Sequence, residues 1–341
     1  MKLLILSPID PGAVERLRRD HHVVDASGAP PDELPSLVAD RDVLIFRSGV
    51  DITADLMRCA PGLTALIRGG SGFDNVDLDY VSRRGLAFIR VPEPGARAVA
   101  ELAFGLMLAL ARNIVRADRL WRQGRWVKHE MTGYTLRGKV LGILGVGNIG
   151  TVVGELGVAW GMQVVGCHEN PSPTVAAALR QKGIRLASLD EVASGADFLT
   201  VHVPLTPSTR HLVNAQVLSR MKPGSFLLNL ARGGVVDETA LRAELLSGRR
   251  LLGAALDVHE AEGEGRVSPL ADLPNVVLTP HIGASAFDTQ REIGERIVSI
   301  VESLASSPAR AAVEQAAPSP APFAESPRIP IPTPGVEGAR P

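Results

Sequence analysis

Short β-rich runs alternate with helix-patterned stretches along most of the chain, and no other feature restricts the fold as much. "KLLIL", "DVLIFRS", "LTALIRG" and "LAFIRV" occur in the first 91 residues, and "KVLGILG", "MQVVGC", "ADFLTVHV", "SFLLNLA", "LGAALDV" and "NVVLTP" follow residue 138. Apolar runs separated by helical segments are the pattern of parallel sheets covered by helices on both faces. One of those segments, "DETALRAELLSG", carries an N-cap candidate in Asp237 and a C-terminal stop in Gly248. The two sets of runs flank a single helical region from about Ala98 to Trp126, so two doubly wound α/β domains are expected. A last helix is expected over "FDTQREIGERIVSIVESLA".

Composition bounds the function. The length of 341 residues suits two domains, and 45 % apolar residues can fill two cores. Thirty-six basic residues balance 37 acidic ones, which argues against a nucleic-acid-binding or membrane-surface protein. The two cysteines, Cys59 and Cys167, suit a reducing cytoplasm. The apolar part of "MKLLILSPID" is too short for a signal sequence. "AVAELAFGLMLALA" falls short of the ~20 residues of a membrane span and reads as a buried helix. Nine prolines fall in the last 34 residues, so residues 307–341 read as a disordered tail.

The clearest chemistry lies in "KVLGILGVGNIG". Gly145, Gly147 and Gly150 have G-x-G-x-x-G spacing after an apolar run and at the opening of a helical pattern, with a second strand ending some 20 residues on. In that context the first glycine allows a tight turn and the second lets backbone approach a pyrophosphate. The third allows close strand–helix packing, with phosphate charge at the helix N-terminus. Dinucleotide binding in a Rossmann domain is therefore expected, with Asn148 and Ile149 in the phosphate turn. The second strand should end in an acidic residue facing the ribose. The sequence there is "VVGCHEN", with His168 at that place and Glu169 next to it. No arginine follows to welcome a 2′-phosphate, so NAD is the expected cofactor. No metal is expected.

Three further segments follow successive strands: "NLARGGVVDE", "GAALDVHEAEGEG" and "LTPHIGAS". They put Arg232, Glu262 and His281 near the carboxyl ends of strands, where open α/β sheets bind ligands. Singly, each has a plain structural reading: a salt bridge, a solvated acidic loop, a turn histidine. Together with "RGGSGFDNVDL", "ELAFGLMLALAR", "LRGKVLGILGVGNIG" and "VHVPLTPSTRHLVN", the constellation resembles the D-2-hydroxyacid dehydrogenase family over about residues 40–305, and most closely its phosphoglycerate dehydrogenase branch.

The resemblance implies a flavodoxin-like substrate domain over residues 1–97, completed by 285–306, and a Rossmann NAD-binding domain over 98–284. It implies hydride transfer between nicotinamide and C2 of a small 2-hydroxy or 2-oxo acid, possibly phosphorylated or dicarboxylic, in a homodimer. His281 becomes the acid–base group, a task suited to an imidazole with an unperturbed pKa of about 6.5. Glu262 becomes its partner, with Glu260 and Glu264 as competitors in the same loop. Arg232 becomes a carboxylate clamp, for which a planar fork is better than an ammonium. The backbone around Gly69, Gly70, Ser71 and Gly72 would receive the substrate carboxylate. Val203, Leu230, Ala231, Asp257, Gly283 and Ala284 would line the nicotinamide, with Asp257 accepting from the carboxamide. Arg47, Arg68 and Lys128 are the candidates for a second anionic group on the substrate, Lys128 by way of a partner subunit's cleft. A dinucleotide-sensing corepressor on the same scaffold is the alternative function.

Overall fold

The computed structural model describes residues 1–306. Two all-parallel sheets organise them. The first contains β1 (Lys2–Ile5), β2 (His22–Asp25), β3 (Val43–Phe46), β4 (Ala65–Arg68) and β5 (Ala87–Arg90) in the order β2-β1-β3-β4-β5. This is the flavodoxin-like order. The second contains β6 (Val140–Leu144), β7 (Gln163–Cys167), β8 (Ile184–Leu186), β9 (Phe198–Val201), β10 (Ser225–Asn229), β11 (Leu251–Leu256) and β12 (Val276–Leu278). Its order, β12-β11-β10-β9-β6-β7-β8, is the Rossmann arrangement extended by one strand.

Alternate side chains of a strand point to opposite faces, so a doubly covered strand must be apolar at every position. Leu3 and Ile5 join Val43, Ile45 and Ile67 in a core on one face, and Leu4 joins Leu44, Phe46 and Leu66 on the other. Helix Pro11–Asp20 and the last helix, Phe287–Ser306, cover the first of these faces through Leu17, Ile293, Ile297 and Val301. The last helix in sequence therefore completes the core of the first sheet.

Helix Glu93–Ala111 is long and apolar enough to cross a membrane by length and composition. Its Val99, Ala103, Phe104, Met107 and Leu110 lie instead in the core against Ile143, Phe226 and Leu228 of the second sheet. The single helical region expected over 98–126 is two helices, Glu93–Ala111 and Ile114–Arg122, broken at Asn113 with φ 54°. Asparagine adopts that left-handed conformation more readily than most residues. The expected cap and stop of helix Glu238–Ser247 are both present: Asp237 accepts from the Ala240 amide, and Gly248 has φ 62°. The tail expected beyond residue 306 lies outside the described residues.

Candidate active site

Arg232, Glu262 and His281 follow β10, β11 and β12, three neighbouring strands at one end of the second sheet. His281 has φ 54°, an uncommon conformation for a residue with a side chain. Asp257, buried at the end of β11, holds it there. Its carboxylate accepts from the Thr279 hydroxyl at 2.6 Å and from the Ile282 and Gly283 amides at 2.9 and 2.8 Å. The His281 amide donates to the Asp257 carbonyl at 2.7 Å. Asp257, expected at a carboxamide, is engaged in the turn that aims His281, and its Oδ2 keeps one acceptor position for a further donor.

The His281 Nδ1 lies 2.8 Å from Glu262 Oε2, and the His259 amide donates to Glu262 Oε1 at 3.0 Å. Burial pushes the Glu262 carboxyl up, but the bonds from His281 and the His259 amide outweigh it and hold its pKa below the usual value. The ionised carboxylate can only accept, so Nδ1 carries the proton and Nε2 is left to exchange one. A depressed carboxyl pKa contributes stability above the unfolded value, and that contribution is lost as pH falls through the folded one. The competitors are elsewhere. Glu260 pairs with His211 Nε2 at 3.1 Å, and Glu264 is exposed.

The loop after β4 forms the facing wall. Arg232 Nε donates to both Asp74 oxygens, at 3.0 and 3.2 Å, and Nη1 donates to the Ala231 carbonyl at 2.7 Å. Gly72 lies so close that a methyl on it would fall 1.8 Å from Arg232 Nη2, so a side chain there would displace the guanidinium. The expectation for the neighbouring glycines changes. The Gly69 amide donates to the Phe46 carbonyl and the Gly70 amide to the Arg68 carbonyl, both at 2.9 Å. These bonds finish β4, leaving the amides of Ser71 and Gly72 without such partners among the described residues. Arg90 Nη1 donates to the Ser71 carbonyl at 3.0 Å and holds the loop.

Ser48, Asn75 and His259 join Arg68, Asp74, Arg232, Glu262 and His281 around a cavity of about 410 Å³. Arg47 is not among them. Phe46 pairs with Arg68 across the strands, so Arg47 stands one step out of phase and its Nη1 reaches Gln290 of the last helix. Arg68 is 3 % exposed, and its Nη1 donates to the Arg47 carbonyl at 2.8 Å. Burial, with Arg232 nearby, pulls its pKa down to about 10, so it stays charged at neutrality. Lys128 lies in an exposed 3₁₀ turn, Lys128–Glu130, and does not line this chain's own cavity. Another cavity, of about 400 Å³ and bordered by Arg119, Tyr134 and Asn275, lies by Phe226, Leu252 and Val276 at the opposite strand ends. It holds none of these groups.

The glycine turn of β6 fits a dinucleotide. Gly145 has φ 95°, and a methyl there would fall 2.8 Å from the His202 carbonyl and Val203. A methyl on Gly150 would fall 2.1 Å from the Gly145 carbonyl, whereas Gly147 faces open space. Two glycines thus serve packing, and the middle one leaves an approach to the backbone. Helix Asn148–Ala159 starts there without a side-chain cap, so its first amides can take phosphate oxygens. The buried His168 Nδ1 just past β7 has no partner among the described residues, as suits a ribose hydroxyl. Leu230 and Ala231 are buried, and Val203 packs on the turn. His202, outside the sequence-based expectations, is half-buried; desolvation pushes its pKa down to about 3, and Thr200 Oγ1 sits 2.9 Å from its Nε2.

Residues 104–283 match the model of the D-isomer specific 2-hydroxyacid dehydrogenase, NAD binding domain. This chain belongs to that family. It is an NAD-dependent oxidoreductase acting on a CH–OH group. The dehydrogenase is 38 % identical over 295 residues to hydroxypyruvate reductase of Thermotoga maritima, covering 85 % of this chain and 94 % of that one. It is 36 % identical to D-3-phosphoglycerate dehydrogenase of Methanocaldococcus jannaschii over 89 % of its own length, but spans only 57 % of that relative. The crystal structure of D-lactate dehydrogenase from Aquifex aeolicus, complexed with NAD and lactic acid, superposes with a TM-score of 0.77 at 28 % identity, covering 89 % of this chain and 95 % of that one.

Asp74 and His259, like Ser48 and Asn75, line the cavity without being expected from sequence. "GFDN" and "DVHE" both lie within stretches already singled out, but nothing in them shows where the side chains point. The contrast among the glycines of the dehydrogenase leads to a prediction. Gly147→Ala should weaken NADH binding, read by fluorescence titration, with Tm unchanged. Gly150→Ala should lower Tm by several degrees because the helix cannot keep its distance from the turn.

Proposed function

We propose that the enzyme reduces a small 2-oxo acid to the D-2-hydroxy acid, or runs the reverse reaction, with His281 as the proton carrier. The 2.8 Å contact between His281 Nδ1 and Glu262, in one cavity with Arg232, carries the reading. Held at the glycine turn after β6, the cofactor would provide hydride to C2 as NADH and accept it as NAD+. In reduction His281 Nε2 gives its proton to the oxygen left at C2, and Glu262 stabilises the imidazolium beforehand. In oxidation the same nitrogen takes the hydroxyl proton. Arg232 receives the substrate carboxylate through its free Nη hydrogens, assisted by the Ser71 and Gly72 amides. The relatives matched are named as dehydrogenases and reductases, which favours turnover over the corepressor alternative.

Arg68 supports a narrower substrate class. A buried guanidinium beside Arg232 with Nε unpartnered is poised for a second anion, so the preferred acid carries a phosphate or second carboxylate. The exposed Trp121 and Trp126, 59 % and 73 % accessible and packed edge to face, support a homodimer through that face. Both cysteines are free, which suits the cytoplasm.

His281→Ala should lower kcat about a hundredfold or more with NADH affinity kept. Glu262→Gln should move the reduction profile to lower pH, because the imidazolium loses its counter-charge. An unchanged profile would remove Glu262 from the mechanism. Arg68→Met should cost about tenfold or more in kcat/KM for a phosphorylated 2-oxo acid and little for glyoxylate. Equal losses on both would make Arg68 a structural residue. Sedimentation should give twice the chain mass at micromolar concentration, and Trp126→Glu should give the monomer.

A further inference from the structure

The position of Arg232 is set from across the cleft, by a carboxylate of the other sheet's loop. A guanidinium has five N–H donors. The Nε–H of Arg232 is shared by the two oxygens of Asp74 at 3.0 and 3.2 Å, and one Nη1–H is held by the Ala231 carbonyl at 2.7 Å. Three donors remain, distributed over Nη1 and Nη2, the end of the fork facing away from Nε. The Gly72 backbone lies beside Nη2, where a methyl would fall 1.8 Å from it, so a side chain at that position would turn the guanidinium. Asp74 thus holds the Nε side of Arg232 and leaves those Nη hydrogens unengaged by it.

The side chains of the pair are 25 % and 31 % exposed, so water screens much of their attraction, and orientation is what the contact chiefly supplies. Asp74 also stands close enough to Arg68 to support its charge, where Arg232, Arg47 and Arg90 oppose it. One carboxylate therefore serves two neighbouring cations that would otherwise repel each other into other rotamers. It also joins the loop after β4 of the first sheet to the loop after β10 of the second, 158 residues apart.

We propose that Asp74 is a positioning residue: through Arg232 Nε it aligns the free end of the guanidinium with the substrate carboxylate, and so makes productive binding depend on the approach of the two sheets' loops. This rests on the proposed role of Arg232.

The test is a double-variant cycle in kcat/KM with the best 2-oxo acid and saturating NADH, with Tm and the NADH Kd measured on every protein. Asp74→Asn keeps the side chain's size and should lower kcat/KM at least tenfold, with Tm and NADH Kd unchanged. On an Arg232→Lys background the same change should cost less than threefold, because no guanidinium is left to align. Equal losses on both backgrounds would overturn the proposal, as would near-wild-type kinetics of Asp74→Asn or a drop in Tm or NADH affinity that accounts for the loss. Should Asp74→Asn fail to fold, Asp74→Glu displaces the charge by one methylene and should show the same tenfold loss; wild-type kinetics there would overturn it too. Wild-type kinetics of Arg232→Lys would instead remove the role of Arg232 itself, whatever Asp74 does.

Discussion

A parallel sheet delivers every strand to the same edge. Each connection must then cross back over a face, and the loops that follow the strands gather at one end. In this chain that constraint places Arg232, Glu262 and His281 side by side, although 30 and 19 residues separate them in sequence, because β10, β11 and β12 are neighbours. The doubly covered faces make the strands rigid. The loops at their ends can therefore carry unusual backbone and still be held to a narrow geometry.

The turn at His281 shows how that rigidity is used. A left-handed residue with a side chain costs on the order of 1–3 kcal/mol. The buried Asp257 meets that cost with three donors from the same turn, and its own carbonyl takes the His281 amide. Charge is thus stationed beneath the turn while Glu262 stands beside it. One carboxylate fixes the backbone and the other tunes the ring.

Much of this was legible in the residues. Strands apolar at every position were read correctly because both faces demand it. The two that escaped notice, β2 and β8, are edge strands, and "HVVD" and "IRL" are too short and too polar to stand out. The break at Asn113 was missed because a helical pattern continues on either side of it. At the site, motif order put Arg232, Glu262 and His281 on loops that meet around one cavity, but phase decided the cations. Arg47 and Arg68 look alike at strand ends, and only the pairing of Phe46 with Arg68 shows that Arg68 is the one beside the cavity. Side-chain engagement was not legible at all. Nothing in "RGGSG" says that two of its amides close a strand, nor does "GFDN" announce that its aspartate grips an arginine 158 residues away.

The last helix carries a consequence for how the chain comes into being. Leu3, Ile5 and Leu17 are synthesised long before Ile293, Ile297 and Val301, which complete their core. Helix Pro11–Asp20 covers only part of that face, and the rest stays open until the last helix has been added. The same helix begins just past His281, and its Gln290 ties Arg47 to the Ala284 carbonyl. The segment that seals the first sheet is the one that leads away from His281, so the core of one sheet and the turn at the end of the other are completed by the same stretch of chain.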